Sequence, residues 1–189
     1  MRITSGKYRG LPIKSPSGDR LRPTQDLVRE ALFDILRDKI TDCVFLDLCA
    51  GTGAVGLEAI SRGASDVFLV EKNRSNSKFI HANIKMLKDV NPKVIYGDAA
   101  LIVKSFQNRM KFDIIFADPP YEKYGENPLL VKILNNIGEY DVLNENGIII
   151  LEQASKEKVV ESELFSVFKE KKYGRTKLIF YEKKTKNNG

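Results

Sequence analysis

The stretch Phe45 to Ala59 reads FLDLCAGTGAVGLEA, and the fold turns on how it is read. An apolar run ends in Asp47, a glycine-rich turn follows, and an apolar-periodic segment continues through residues 55–61. That order predicts a strand, a tight loop and a helix, with a carboxylate at the end of the strand. Gly51, Gly53 and Gly56 fit the spacing G-x-G-x-x-G. Glycines so placed allow a sharp turn and let the backbone approach a ligand closely. The start of the helix presents free N–H groups to that ligand. Taken alone, the pattern suits many nucleotide-binding proteins, and equally a plain glycine turn between a strand and a helix.

Downstream of this unit the same alternation continues. Strands are expected over 44–48, 67–71, 93–96, 112–117 and 147–152. Helices are expected over 74–88 and 128–137, with a short one ending at Phe106. Two β-rich pieces, 164–171 and 177–181, flank a turn at Gly174. Apolar strands joined by helices imply an α/β fold with a doubly wound, mostly parallel sheet, Rossmann-like in plan. The last two strands add an antiparallel pair at one side. Upstream, Pro23-Thr24 opens a helix, with Thr24 as expected N-cap and Asp26 in the first turn. Leu27, Val28, Ala31, Leu32, Ile35 and Leu36 form its apolar stripe, and Arg29 and Glu30 begin the solvated face.

Residues 1–22 read as a small β-hairpin extension, with 2–4 and 9–13 as its strands and Ser5-Gly6 in its turn. Arg2, Lys7, Arg9 and Lys14 with Tyr8 among them suit phosphate contact plus base stacking. Residues 23–182 then form the main domain, and 183–189 a flexible basic tail.

Charge supports a polyanionic partner. The net charge is +6. Residues 1–22 carry +5 and residues 169–186 carry +6, so the middle of the chain is acidic. Basic ends around an acidic cofactor domain point to nucleic acid. No apolar stretch reaches membrane-spanning length, and charges stand where a signal peptide needs an apolar run. Cys43 and Cys49 have no metal spacing and sit in an expected buried strand, which fits a reducing cytoplasm. The single histidine, His81, is expected on a helix surface. Its solitude excludes a Ser-His-Asp triad and a multi-histidine metal site.

Ligands of doubly wound sheets bind outside the carboxyl ends of the strands. Asp47, Glu71, Asp98 and Asp118 each fall at or just after an expected strand end. Glu71 lies twenty residues after Gly51, the distance at which a carboxylate takes ribose hydroxyls. Asp98 is placed to accept an adenine amino group or, alternatively, to cap a helix. Asp47 can help hold an ammonium group. An acidic rim is awkward for the pyrophosphate of NAD. It matches S-adenosylmethionine, which brings a sulfonium, an amine, a ribose and an adenine.

Asp118-Pro119-Pro120-Tyr121 is the second sharp motif. Two prolines stiffen the backbone and supply no N–H, so carbonyls face outward. A carboxylate and a carbonyl grip an exocyclic NH2, and Tyr121 stacks on the ring that bears it. An aromatic amine is a poor nucleophile. Two acceptors on its protons localise the lone pair and aim it at a methyl group, so alignment and electrostatics supply most of the rate. In a paired base the amine is inside the stack, so the target must be unpaired or flipped out.

With these motifs in place the chain resembles class I methyltransferases. RITSGKYRG, LRPTQDLVREALFDIL, FLDLCAGTGAVGLEAISRGA, FLVEKNR and FADPPY stand in the order found in the RsmD family. The resemblance spans the chain to about Tyr181, and the N-terminal block discriminates it from other amino methyltransferases. It implies a seven-stranded sheet, S-adenosylmethionine as donor, and transfer to N2 of a guanine in 16S ribosomal RNA. The expected partner is the small subunit, whole or partly assembled, met by a monomeric enzyme. Carried over by position, Asp47, Ala50, Gly51, Gly53, Glu71, Lys72 and Asp118 would serve the cofactor, with Asp98 and Ala99 near its adenine. Asp118, Pro119 and Tyr121 would hold the base. Arg2, Lys7, Tyr8, Arg9, Arg22 and Thr24 would face RNA. Thr52 stands where Ser is frequent, and Tyr121 where some members have Phe. The lysine-rich end beyond Tyr181 is outside the pattern.

Three other functions fit part of the sequence. Methylation of another amine, such as adenine N6, is permitted by DPPY alone. A nicotinamide-dependent oxidoreductase would use Gly51 to Glu71 but leaves DPPY without a role. A non-catalytic ribosome-assembly binder would bind RNA without turnover.

Overall fold

A computed structural model of the chain describes residues 1–16, 23–120 and 127–185. The order of elements is α1 (Pro23–Ile35), β1 (Val44–Asp47), α2 (Ala54–Ser61), β2 (Asp66–Glu71), α3 (Arg74–Ile84), β3 (Lys93–Tyr96) and α4 (Ala99–Ile102). It continues with β4 (Phe112–Ala117), α5 (Pro128–Glu139), β5 (Leu143–Ala154), β6 (Phe165–Tyr173) and β7 (Thr176–Lys183). The seven strands form one sheet in the order β3-β2-β1-β4-β5-β7-β6. β1 to β5 are parallel. β7 pairs antiparallel with both β5 and β6.

The apolar runs are continuous because the sheet is covered on both faces. Alternate residues go to opposite cores, as the two-residue period of a strand requires. Leu46, Ile115, Ala117, Ile149, Leu151, Ile179 and Tyr181 enter one core, with Leu130, Ile133, Leu134 and Ile137 of α5 above them. Phe45, Ile114, Phe116, Ile148, Ile150, Leu178 and Phe180 enter the other, covered by Val28, Leu32, Phe33 and Leu36 and by Ala59 and Ile80. The exposed edge strand β6 carries Lys169, Lys171 and Lys172, charges that oppose edge-to-edge pairing.

The helix α1 begins at Pro23, so Thr24 lies inside the helix and is not its N-cap. Its buried face is Val28, Leu32, Phe33 and Leu36, while Leu27 is 55% exposed. Arg29, expected on the solvated face, is instead 4% exposed. Neither cysteine is in a strand: Cys43 is buried just before β1, and Cys49 is half-buried in the loop after it.

The N-terminal segment pairs residues 1–3 antiparallel with 10–13, Ile13 N donating to Met1 O at 3.0 Å, without forming a regular strand among the described residues. Among the described residues its β-bridge joins Arg2 and Pro12, with Ile3 N donating to Leu11 O and Gly10 N to Ile3 O. Ser61 accepts from Lys7 N and Tyr8 N, Asn83 accepts from Lys14 N, and a third anchor is Glu58 of α2, which is 0% exposed. Its carboxylate accepts from Thr4 N at 2.8 Å, Thr4 Oγ1 at 2.7 Å, Ser5 N at 3.0 Å and Arg62 Nε at 2.8 Å. Arg29 Nε lies 3.6 Å from it, and Arg29 Nη2 donates to Arg2 O at 2.7 Å. The segment is thereby clamped to α1 and α2 at once.

Among the described residues no helix is long and apolar enough to cross a membrane.

Candidate active site

The sheet order turns back between β1 and β4. From β1 the chain winds outward to β2 and β3, and from β4 it winds the other way to β5. The loops after β1 and β4 therefore part, and a crevice opens between them at the carboxyl ends of the strands.

The glycine loop is pinned to both neighbouring strands. Leu48 N donates to Phe116 O of β4 at 2.9 Å, and Ala50 N donates to Val70 O of β2 at 2.9 Å. Gly51 and Gly53 have φ of 56° and 83°, left-handed values at which L side chains are strained. A Cβ on Gly51 would meet nothing within 4 Å, so this backbone is open to a ligand. Gly56 has a different reason. A Cβ there would come within 2.2 Å of Leu69 Cδ2, so glycine lets α2 lie close against β2.

Asp47 ends β1 and is 1% exposed. Its Oδ2 accepts from Gly56 N at 3.2 Å. Its Oδ1 has no hydrogen-bond partner among the described residues. Burial pushes its pKa up to about 7, against the backbone N–H groups of Gly56 and Cys49 that favour the anion. Glu71 ends β2 and closes the glycine loop, its Oε2 accepting from Gly51 N at 2.7 Å and its Oε1 from Asn73 N at 2.6 Å. Each of its oxygens keeps a second lone pair for a ligand. Asp98, after β3, caps α4 by accepting from Ala100 N at 3.0 Å and Leu101 N at 3.3 Å. The capping alternative therefore holds for this side chain. Ala99 is buried behind it, and Lys72 is exposed.

Asp118 follows β4 and is half-buried. Burial holds its carboxyl well above the usual carboxylate range, and the charges of Glu152 and then Asp47 add to the rise. Pro119 is buried and Pro120 exposed. Asn127 supports this corner from the other side. Its Nδ2 donates to Pro120 O at 3.2 Å, while its Oδ1 accepts from Leu129 N at 3.1 Å and caps α5. Tyr121 and Arg22 lie outside the described residues, as does the side chain of Thr24.

A cavity of about 220 Å³ lies at this point, and Asp47, Ala50, Gly51 and Asp118 line it together. Gly53, Glu71, Lys72, Asp98 and Ala99 are not in its lining. Glu71 reaches it only through its hydrogen bond to Gly51. The same lining contains residues the sequence reading passed over, namely Glu152, Arg29, Asn76 and Phe116. Glu152 was within reach of that reading, because it closes an expected strand as Asp47 and Asp118 close theirs. Arg29 was hidden because its helix period assigned it to solvent.

Of the expected RNA-facing residues, Arg2, Lys7 and Arg9 are exposed. Tyr8 is not. It is 9% exposed and packs with Ile3, Ile13, Leu57 and Leu87, and its hydroxyl donates to Lys88 O. This corrects the expectation that its ring stacks on a base; the ring anchors the N-terminal segment instead. His81 is exposed on α3, as its surface assignment anticipated.

The fit to S-adenosylmethionine rests on these observations. A buried carboxylate oxygen lacks a donor among the described residues, a glycine face stands open, and three acids line one cavity that would receive a sulfonium and an amine.

Residues 1–182 match the family described as Conserved hypothetical protein 95. The Escherichia coli (strain K12) ribosomal RNA small subunit methyltransferase D is 36% identical over 152 residues, 80% of this chain and 74% of that protein. The chain belongs to the RsmD family. The solved structure of the Escherichia coli protein yhhF is 32% identical and superposes with a TM-score of 0.83, covering 98% of this chain and 99% of that one. The Thermus thermophilus 16S rRNA N2 G1207 methyltransferase RsmC, solved with AdoMet and guanosine, superposes with a TM-score of 0.73 at 23% identity. It covers 89% of this chain and 45% of the RsmC chain, and the likeness is one of fold. Membership of the RsmD family makes the chain a methyltransferase and bears out the resemblance carried by its ordered motifs.

Proposed function

We propose that the chain transfers the methyl group of S-adenosylmethionine to the exocyclic N2 amine of one guanine in 16S ribosomal RNA. Its substrate is the small ribosomal subunit or an assembly intermediate, and it works in the cytoplasm as a monomer. The observation that carries this reading is the cavity that Ala50 and Gly51 of the glycine loop share with Asp47 and Asp118 at the reversal of strand order.

When bound, S-adenosylmethionine supplies a methyl group on a positively charged sulfur. Asp47 offers its buried carboxylate to the positive end, beside the backbone of Ala50, Gly51 and Gly53. Glu71 takes ribose hydroxyls with the lone pairs left after holding Gly51 N. Asp98 and Ala99 border the adenine side, and Lys72 flanks it. On the other wall, Asp118 accepts from the target amine while Pro119 keeps the corner stiff. Tyr121 stacks on the base. The amine grows acidic as the new bond forms, so its proton needs no strong base, and alignment supplies most of the rate. Arg2, Lys7, Arg9, Arg22 and Thr24 engage the RNA backbone. In this reading residues 1–22 are an RNA-contacting extension of the 23–182 domain; Lys183, expected to open a flexible tail, instead ends β7 and pairs with Asp141 and Glu145.

The test is transfer of a radiolabelled methyl group to small subunits lacking the mark, followed by digestion to nucleosides. N2-methylguanosine is the expected product, and N6-methyladenosine would replace this reading. Asp118→Ala should lower turnover by ~100-fold or more, the scale of removing one stabilising group at a reacting centre. Normal incorporation by that variant would refute the assigned site.

A further inference from the structure

A pocket that accepts a nucleobase amine must also distinguish one base from another, and Asp118 by itself does not. A carboxylate accepts from the exocyclic NH2 of guanine, adenine or cytosine alike. Glu152 supplies a second acceptor in the same cavity. It stands within β5 one position beyond the pair Ala117↔Leu151, and Asp118 follows β4 at the matching position, so the two acids stand side by side. Both are half-buried. After burial itself, the charge of Glu152 acts most strongly on the Asp118 carboxyl. The third acid of the lining, Asp47, is 1% exposed with Oδ1 lacking a partner among the described residues. The cavity is therefore built for a ligand rich in donors.

Strand order divides the acids between two ligands. Glu71 and Asp47 end β2 and β1, Asp118 follows β4, and Glu152 lies on β5, in the order in which those strands stand in the sheet. The glycine loop occupies the β1–β2 side. Glu152 is the acid farthest from it, on the side left for the base.

We propose that Glu152 selects guanine by accepting the ring N1–H while Asp118 accepts from the adjacent N2 amine, an inference that rests on the nucleobase reading above. Guanine displays these two donors next to each other on its pairing edge. Adenine and cytosine set a bare acceptor nitrogen beside their amine. A carboxylate facing that lone pair repels it and leaves both groups without a donor. Selection thus comes from rejection as much as attraction. The pairing edge must be free for this, which agrees with a flipped or unpaired target.

The experiment compares small subunits reconstituted with either guanine or 2-aminopurine at the target position. 2-Aminopurine keeps the amine but carries an acceptor at N1. The wild-type chain should favour guanine in kcat/KM by ~10-fold or more, the scale of one good polar pair to a base. Glu152→Gln offers an NH2 to that acceptor, so its preference should collapse to about threefold or less as guanine slows and 2-aminopurine gains. An equal loss on both bases, with the preference kept, would overturn the proposal, because a structural role predicts that result. Glu152→Asp keeps the acceptor and should keep the preference; losing it there would also overturn the proposal. This second variant decides alone should Glu152→Gln fail to bind S-adenosylhomocysteine. Transfer to neither base by the wild-type chain would instead sink the nucleobase reading, and the role of Glu152 with it.

Discussion

At Asp47 two demands conflict. Folding buries the carboxyl to 1% exposure, which favours the neutral acid, while a cationic ligand requires the anion. With its pKa raised to about 7, the folded state retains a proton that the unfolded chain, at ~3.9, has already lost. The stabilisation this gives is fully present below the unfolded value and is lost as pH rises through about 7. Asp118 contributes in the same direction. The free protein should therefore show a falling Tm between pH 4 and pH 7. Asp47→Asn should flatten that fall by several degrees, since each kcal/mol is worth ~2–4 °C in a chain of this size. The opposite slope is expected for the ligand. Affinity for S-adenosylmethionine should climb as pH rises through 7, because binding no longer has to displace the proton. Calorimetry across that range reads both, and an Asp47→Asn protein that keeps the wild-type slopes would remove Asp47 from the cationic site.

Among the elements, α2 connects most of the molecule. Its N-terminus meets the glycine loop, Gly56 sets its distance from β2, and Glu58 clamps the N-terminal segment. Glu58→Gln keeps the shape but removes the charge that offsets Arg62 and, at 3.6 Å, Arg29. Breaking a buried pair on one side costs roughly 3 kcal/mol. The segment carrying Lys7 and Arg9 should then open, and trypsin should cut there at least ~10-fold faster than in the wild-type chain, as local unfolding rather than global unfolding governs the cut. Unchanged cleavage would mean that Tyr8, Ile3 and Ile13 hold the segment without the clamp. This clamp shows where sequence reading stopped. The strand at 112–117 was legible to the residue, because a buried strand between turns leaves an almost continuous apolar run, and the half-exposed 93–96 was legible from its β-prone Val94-Ile95 pair before Gly97. The convergence of Asp47 and Asp118 was legible too, because parallel strands put all their ends on one rim. Glu58 was not, since a glutamate inside a helical run reads as surface until its partners arrive from fifty residues away. Tyr8 misled for a related reason. Its cationic neighbours Lys7 and Arg9 are exposed, but the turn between them points the ring inward.

For the whole molecule, the proposed function requires that a compact pocket be delivered to one base in a very large polyanion. The net charge is +6, and the cavity itself is lined by acids. Phosphate attraction must therefore come from elsewhere on the surface, and Arg2, Lys7 and Arg9 are exposed on the segment that Glu58 and Arg29 fix beside the cavity. Met1 of that segment lines the cavity directly. Under the proposed function, cations so placed act on encounter and register, and the acids act on the ligand and the base. The two functions should then separate in experiment. Replacing Arg2, Lys7 and Arg9 together with glutamine should weaken binding to small subunits by ~10-fold or more at moderate salt. It should also make the log–log salt dependence shallower by ~1 for each phosphate that the variant no longer neutralises. S-adenosylmethionine affinity should stay within about twofold, because the cofactor side of the cavity is untouched and the charge effect is screened over ~10 Å. Filter binding over a salt series, paired with cofactor titration of the same protein, measures both quantities. A triple variant with the wild-type salt slope would place the RNA-binding surface elsewhere, with the lysines of the edge strand β6 as the next side chains to replace.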